Sequence, residues 1–201
     1  MKPTRKTTGR TTGKSRKNSV KYYSIIESPV NDLMLVADDS ALTGLYFAGC
    51  DHIPVASQHW TPNARHPVLK QTAKQLQEYF ARKRTSFSLP LRLTGTNFQE
   101  KVWRQIALIP CGKTISYSDL AKRAGASQAI RAAGTATGRN PLSIVIPCHR
   151  VMGKTGSLCG FAGGLAKKQQ LLELEKPDIR PRVDSVISGI KEDKKTGPSP
   201  I

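Results

Sequence analysis

The chain has 201 residues, 38% of them hydrophobic and 23% charged, with a formal charge of +18 at neutral pH, enough apolar material for one ordinary domain or two small ones. No run approaches the roughly 20 apolar residues that span a bilayer, and no apolar segment follows the N-terminal positive charges, so no membrane partner is expected and the chain is placed inside the cell. Its four cysteines, Cys50, Cys111, Cys148 and Cys159, are too sparse for a disulfide scaffold and lack zinc-knuckle spacing, and Cys50 and His52 alone are too few for a site, so reduced thiols and no metal are expected.

Residues 1 to 21 carry eight Lys or Arg and no acid among Thr, Ser and Gly, and a disordered basic arm is expected over residues 1–18. Three runs of β-formers follow, Tyr22 to Ile26, Leu33 to Val36 and Leu42 to Phe47, separated by turn-forming Ser28-Pro29, Asn31-Asp32 and Asp38-Asp39-Ser40. They predict a small antiparallel sheet. From Pro67, the positions Val68, Thr72, Leu76 and Phe80 recur every four residues with Leu69 and Tyr79 beside them, which predicts an amphipathic helix over 67–83. After the alternating Phe87 to Leu93, the run Thr94-Gly95-Thr96 marks a boundary between an N-terminal domain, residues 19–93, and a second one, residues 94–176.

In the second half, Phe98, Val102, Ile106 and Ile109 continue a helical stripe that ends at Pro110-Cys111-Gly112. Ser116 or Ser118 caps a short helix through Arg123, Gly125-Ala126 breaks it, and Ser127 opens another. Helix, tight turn and helix form the pattern of a helix-turn-helix, with residues 128–138 as the helix that would meet DNA. That helix is built of small residues, Ala129, Ala132, Ala133, Gly134, Thr135, Ala136, Thr137 and Gly138, with Arg131 among them and Arg139 just past the end. Tight helix packing is the commoner reason for small residues; the two arginines tilt the reading towards close approach to DNA without sequence reading. Charge points the same way. Residues 92–154 hold ten Lys or Arg against Glu100 and Asp119, a localised surplus that suits a polyanion, although a merely solvated basic face would also carry it.

The apolar run Pro141 to Ile146 delivers the chain to Pro147-Cys148-His149-Arg150. Most cysteines ending such a run are buried and inert. Here an imidazole and a guanidinium stand next in sequence, and either lowers a thiol pKa. Neighbours along a strand point to opposite faces, so contact between Cys148 and His149 requires an irregular backbone or a bridging water. Next come a turn at Gly153 to Gly156, a glycine-rich loop at Gly160 to Gly164, and a helix from Leu165 to Glu175. Beyond it, residues 177–201 are expected to form a flexible tail. The expected fold class is α+β, a small N-terminal antiparallel sheet domain with a helix and a mostly helical C-terminal domain containing the helix-turn-helix and an active-site loop.

Residues 96–175 closely resemble the catalytic domain of the O6-alkylguanine-DNA alkyltransferases, also called methylated-DNA–protein-cysteine methyltransferases. The resemblance rests on Ile115-Ser116-Tyr117, Ala129 to Gly134 with Arg131, Arg139-Asn140-Pro141, Pro147-Cys148-His149-Arg150-Val151, Gly163-Gly164-Leu165 and a terminal Leu-Leu-x-x-Glu, in one order and spacing. Residues 22–93 are more loosely similar to the family's variable N-terminal domain. The resemblance implies that Cys148 takes the alkyl group, that His149 acts as base through a water, and that Glu175 orients His149. It further implies that Asn140 braces the turn between the DNA-facing helix and the active-site strand, that Tyr117 assists nucleotide rotation and leaving-group protonation, and that Arg131 fills the gap left in the base stack. Ala129, Ala132, Gly134, Thr135 and Arg139 would line the DNA interface, and Cys148, Val151, Phe161, Ala162 and Ser143 the substrate pocket. Phe161 stands where many relatives have Tyr and Ala162 where some have Ser; Ser143 and Cys159 also occupy variable positions.

The implied partner is double-stranded DNA containing O6-alkylguanine, met by a monomer without cofactor, in the cytoplasm, at the nucleoid of a bacterium or in the nucleus of a eukaryote. No second group stands ready to remove a thioether from Cys148, so each chain would act once. A non-catalytic DNA-binding regulator would not need a Cys-His pair backed by Glu175. A cysteine hydrolase would not need a basic helix of small residues.

Overall fold

The computed structural model describes residues 20–50 and 53–176; the arm expected at 1–18, the tail expected at 177–201 and His52 lie outside the described residues. The N-terminal half is built on β1 (Tyr22–Ile26), β2 (Leu33–Ala37), β3 (Leu42–Phe47), a 3₁₀ turn (Val55–His59), β4 (Thr61–Pro62) and helix α1 (Pro67–Phe80). The C-terminal half follows with α2 (Asn97–Ala107), β5 (Ile115–Ser116), α3 (Tyr117–Arg123), α4 (Ile130–Gly138), a 3₁₀ turn (Cys148–Arg150), β6 (Val151–Met152) and α5 (Leu165–Leu174). The fold is α+β, as expected. Among the described residues no helix is long and apolar enough to cross a membrane.

The sheet departs from expectation in one respect. Strands β1, β2 and β3 form the antiparallel meander, with Tyr22 opposite Ala37 and Leu33 opposite Phe47, but β4 joins β1 in parallel and makes the sheet mixed. Pro62 has no N–H to offer, which confines β4 to a two-residue edge. Helix α1 starts with Pro67 at its first turn, where a missing N–H costs nothing, and buries Val68, Leu69, Thr72, Gln75, Leu76 and Tyr79. It packs across β1, β2 and β3.

Helix α2 opens with a reciprocal cap between Thr96 and Gln99. It packs against α3 and α4, and the Trp103 indole donates to the Ala136 carbonyl of α4 at 2.8 Å. Buried residues of both halves form one continuous apolar cluster, from Leu33 and Phe47 through Val102 and Ile106 to Ile146 and Leu171. Backbone hydrogen bonds join the halves at the outer edge of β3: Leu45 donates to Pro141 at 2.8 Å and accepts from Ser143 at 3.1 Å. The N-terminal sheet therefore holds the segment that leads into Cys148.

That segment is not a strand. Residues 141–146 close on themselves, with Val145 donating to Ser143 and Ile146 to Leu142, both at 2.8 Å, and Ile144 carries φ 70°. A β-branched residue rarely adopts this left-handed conformation, and it persists only where surrounding contacts enforce it. The run is apolar because residues 142–146 of the turn are buried.

Candidate active site

Asn140 sets the geometry of the turn from the end of α4. Its amide donates to the Ile146 carbonyl at 2.8 Å and its carbonyl accepts from the Leu142 N–H at 3.0 Å, so one buried side chain ties both ends of the loop. Pro147 then redirects the chain, and Cys148, His149 and Arg150 form a single 3₁₀ turn, all buried. The backbone at Cys148 and His149 is therefore irregular and not an extended strand.

Glu175, at the end of α5 and 1% exposed, is the hub beneath that turn. Its Oε1 accepts from His149 Nε2 at 3.1 Å, Arg150 Nη2 at 2.6 Å and the Tyr79 hydroxyl at 2.7 Å. Its Oε2 accepts from Arg150 Nε at 2.8 Å and the Gly112 N–H at 3.3 Å. Burial alone would raise the Glu175 pKa, but His149 and Arg150 outweigh it and hold the carboxyl far below the usual range. Arg150 also donates to the Ile109 carbonyl. Gly112 is held at φ 72°, and a Cβ there would lie 2.7 Å from the Glu175 carbonyl oxygen, so this approach admits only glycine.

Burial lowers the His149 pKa, and the pull of Glu175 does not compensate. The ring is therefore neutral near pH 7. With Nε2 facing a carboxylate, the ring proton resides there and Nδ1 keeps its lone pair; Nδ1 is buried and has no hydrogen-bond partner within the protein. The Cys148 thiol, 4% exposed, is pushed up by burial, against which the Asn140 side chain, the Lys168 charge and nearby backbone N–H groups favour the thiolate. Arg150 was expected to activate this thiol. Its guanidinium is instead spent on Glu175 and Ile109.

Lys168 was not foreseen from the sequence. It is fully buried on α5, and its ammonium donates to the Val151 carbonyl at 2.7 Å and the Cys159 carbonyl at 2.8 Å, closing the loop between β6 and the glycine-rich segment. In that segment Phe161 sets its ring edge-on to Phe47 of β3, centroids 5.5 Å apart, while a Cβ at Gly163 would overlap the same Phe47 ring at 2.7 Å. Ala162 is half-buried, and Val151 and Ser143 are buried.

Tyr117 begins α3, and its hydroxyl reaches the carbonyls of Cys159 and Gly160 at 3.4 and 3.5 Å, at the limit of hydrogen bonding. Burial, with Cys159 and Cys148 adding to it, pushes its pKa up to about 12, so the phenol keeps its proton. Helix α4 packs on α2 and α3 through Ala133, Ala136 and Thr137. Its outer side exposes Arg131, Ala132 and Thr135, continued by Arg139, with Gly134 and Ala129 half-buried. Residues 131, 135 and 139 are four apart, one stripe on one face.

Cys148, His149, Glu175 and Asn140 thus come together as one buried cluster, with Tyr117 close enough to Cys148 to feel its charge. Tyr79, Gly112 and Lys168 complete the cluster without having been expected there.

Residues 97–177 match the family model described as "6-O-methylguanine DNA methyltransferase, DNA binding domain", and residues 21–93 the one described as "6-O-methylguanine DNA methyltransferase, ribonuclease-like domain". The methylated-DNA–protein-cysteine methyltransferase of Mycobacterium bovis is 43% identical over 155 residues, 77% of this chain and 92% of that protein. The constitutive one of Bacillus subtilis is 40% identical over 159 residues, 77% of this chain and 95% of that protein. A crystal structure of Mycobacterium tuberculosis OGT in complex with DNA superposes with a TM-score of 0.71 at 42% identity, covering 77% of this chain and 92% of that one. With both halves matched and such identity over most of its length, the chain belongs to the 6-O-methylguanine DNA methyltransferase family.

Proposed function

We propose that this protein repairs O6-alkylguanine in duplex DNA by moving the alkyl group irreversibly onto Cys148, one lesion per chain. The observation that carries the reading is a buried thiol beside a neutral imidazole whose Nε2 is fixed on Glu175 and whose Nδ1 lone pair is unused. Through one water, Nδ1 takes the thiol proton; Sγ attacks the alkyl carbon in line with the breaking C–O6 bond; guanine leaves with the electron pair and takes a proton, and a thioether remains. The Tyr117 hydroxyl, protonated and weakly held, suits a hydrogen bond donated to the leaving guanine, which favours the guanine's protonation. An enclosed thiol cannot reach a base inside an intact stack, so the nucleotide must rotate out. In this reading α3 and α4 act as a helix-turn-helix, and the exposed stripe of Arg131, Thr135 and Arg139 meets DNA, with Arg131 filling the vacated place.

Duplex DNA carrying labelled O6-methylguanine tests this. Label should pass to the protein up to about one alkyl per chain, and none should pass to Cys148→Ser. Multiple turnovers, or transfer that survives the substitution, would refute the proposal.

A further inference from the structure

We infer that Tyr79, on α1 of the N-terminal half, is a positioning residue of the alkyl-transfer centre: its hydroxyl shares the Glu175 oxygen that holds His149 and so sets how strongly that oxygen binds the imidazole. The inference rests on the proposed role of His149.

Tyr79 is 1% exposed and lies 96 positions from Glu175 in sequence, yet its hydroxyl donates to Oε1 at 2.7 Å. Packing alone does not require that hydroxyl. The ring is held by Phe80 and Phe87, centroids 5.3 and 5.5 Å away, and a phenylalanine would keep both contacts. Oε1 already accepts from Arg150 at 2.6 Å and from His149 at 3.1 Å. Of its three donors, His149 is the most distant. A carboxylate oxygen divides a fixed charge among its donors, so each strong donor weakens the hold on the others. Every charged or titratable group facing the pair enters this balance: Arg150 and Cys148 on the 3₁₀ turn, Lys168 on α5, Cys111 after α2 and Tyr79 on α1. Of these, Tyr79 is a neutral donor bonded to the oxygen that His149 uses. By drawing on Oε1 it limits how far Glu175 stabilises imidazolium, and so adds to the burial that leaves His149 a neutral acceptor for the thiol proton. The N-terminal half thereby contributes to the reaction centre as well as to the scaffold.

The test uses the full-length protein with ¹⁵N-labelled histidine and follows His149 by NMR titration without DNA, then the pH dependence of single-turnover transfer. Tyr79→Phe should raise the His149 pKa by about 0.5–1 unit, because Oε1 then pulls harder on the ring N–H. The acid limb of transfer should move with it, a loss of about three- to tenfold at a fixed pH on that limb. Fluorotyrosine at position 79, a stronger donor, should shift His149 the opposite way. Leu76→Val, which loosens the same helix, should shift neither. Opposite shifts from the two Tyr79 replacements support the inference. No shift, shifts of the same sign, or an equal shift in Leu76→Val overturn it. Absence of transfer in the unaltered protein would refute the repair reading, while the titration would still decide the part played by Tyr79.

Discussion

The ring of Tyr117 rests against Gly134: a Cβ built on that glycine would lie 3.9 Å from two ring carbons. The first residue of α3 and the middle of α4 are thus fitted to each other, with room for one methyl group and little more. Glycine inside a helix costs about 0.5–1 kcal/mol relative to alanine. Gly134→Ala should therefore stabilise the protein by about that amount in urea unfolding. Gly134→Leu should displace Tyr117 and slow transfer. Destabilisation by alanine would contradict the fit.

Much of this was legible in the sequence, for identifiable reasons. The stripe of Phe98, Val102 and Ile106 marks α2, because its period acts locally. Cys148, His149 and Arg150 stand out because thiol, imidazole and guanidinium are consecutive. What stayed hidden depends on contacts between distant residues. Tyr79 reads as one more apolar position of α1, since its partner Glu175 is supplied by the packing of α5. Lys167 and Lys168 are adjacent and alike, and only the docking of α5 decides that Lys168 turns inward. Residues 142–146 are buried, so their composition does not distinguish the observed turn from a strand. Arg150 was expected beside the thiol, but a carboxylate 25 positions away claims it.

Acid should weaken the protein in two stages. His149 has its pKa lowered from 6.5 by burial, so the folded state favours the neutral ring and loses stability as pH falls below about 6.5. Glu175 has its pKa lowered by His149 and Arg150 despite burial, so its contribution is full above about 4.5 and declines below that. Urea unfolding at pH 7.5, 6 and 5 should show a decline already at the milder step. In His149→Gln the early stage should vanish while the later one remains. A decline of equal size in that variant would assign the early stage to another group.

Arg131 gives the sharpest separation between binding DNA and performing chemistry. It is exposed on α4, on the side away from the buried Ala133, Ala136 and Thr137, and it takes no part in the Cys148 cluster. If its side chain fills the place of the rotated nucleotide, its loss costs part of the few kcal/mol needed to unstack a base and nothing at the thiol. Arg131→Ala should then slow transfer from duplex DNA by about ten- to a hundredfold, since each 1.4 kcal/mol is tenfold. Reaction with a free O6-alkylguanine base should change less than about twofold, because no stack is opened. One lost phosphate contact would instead lower the salt dependence of DNA binding by about one unit of slope and leave bound-state transfer intact. Single-turnover rates at saturating duplex, set beside free-base rates, separate the two, and equal losses on both substrates would place Arg131 in the scaffold of the site.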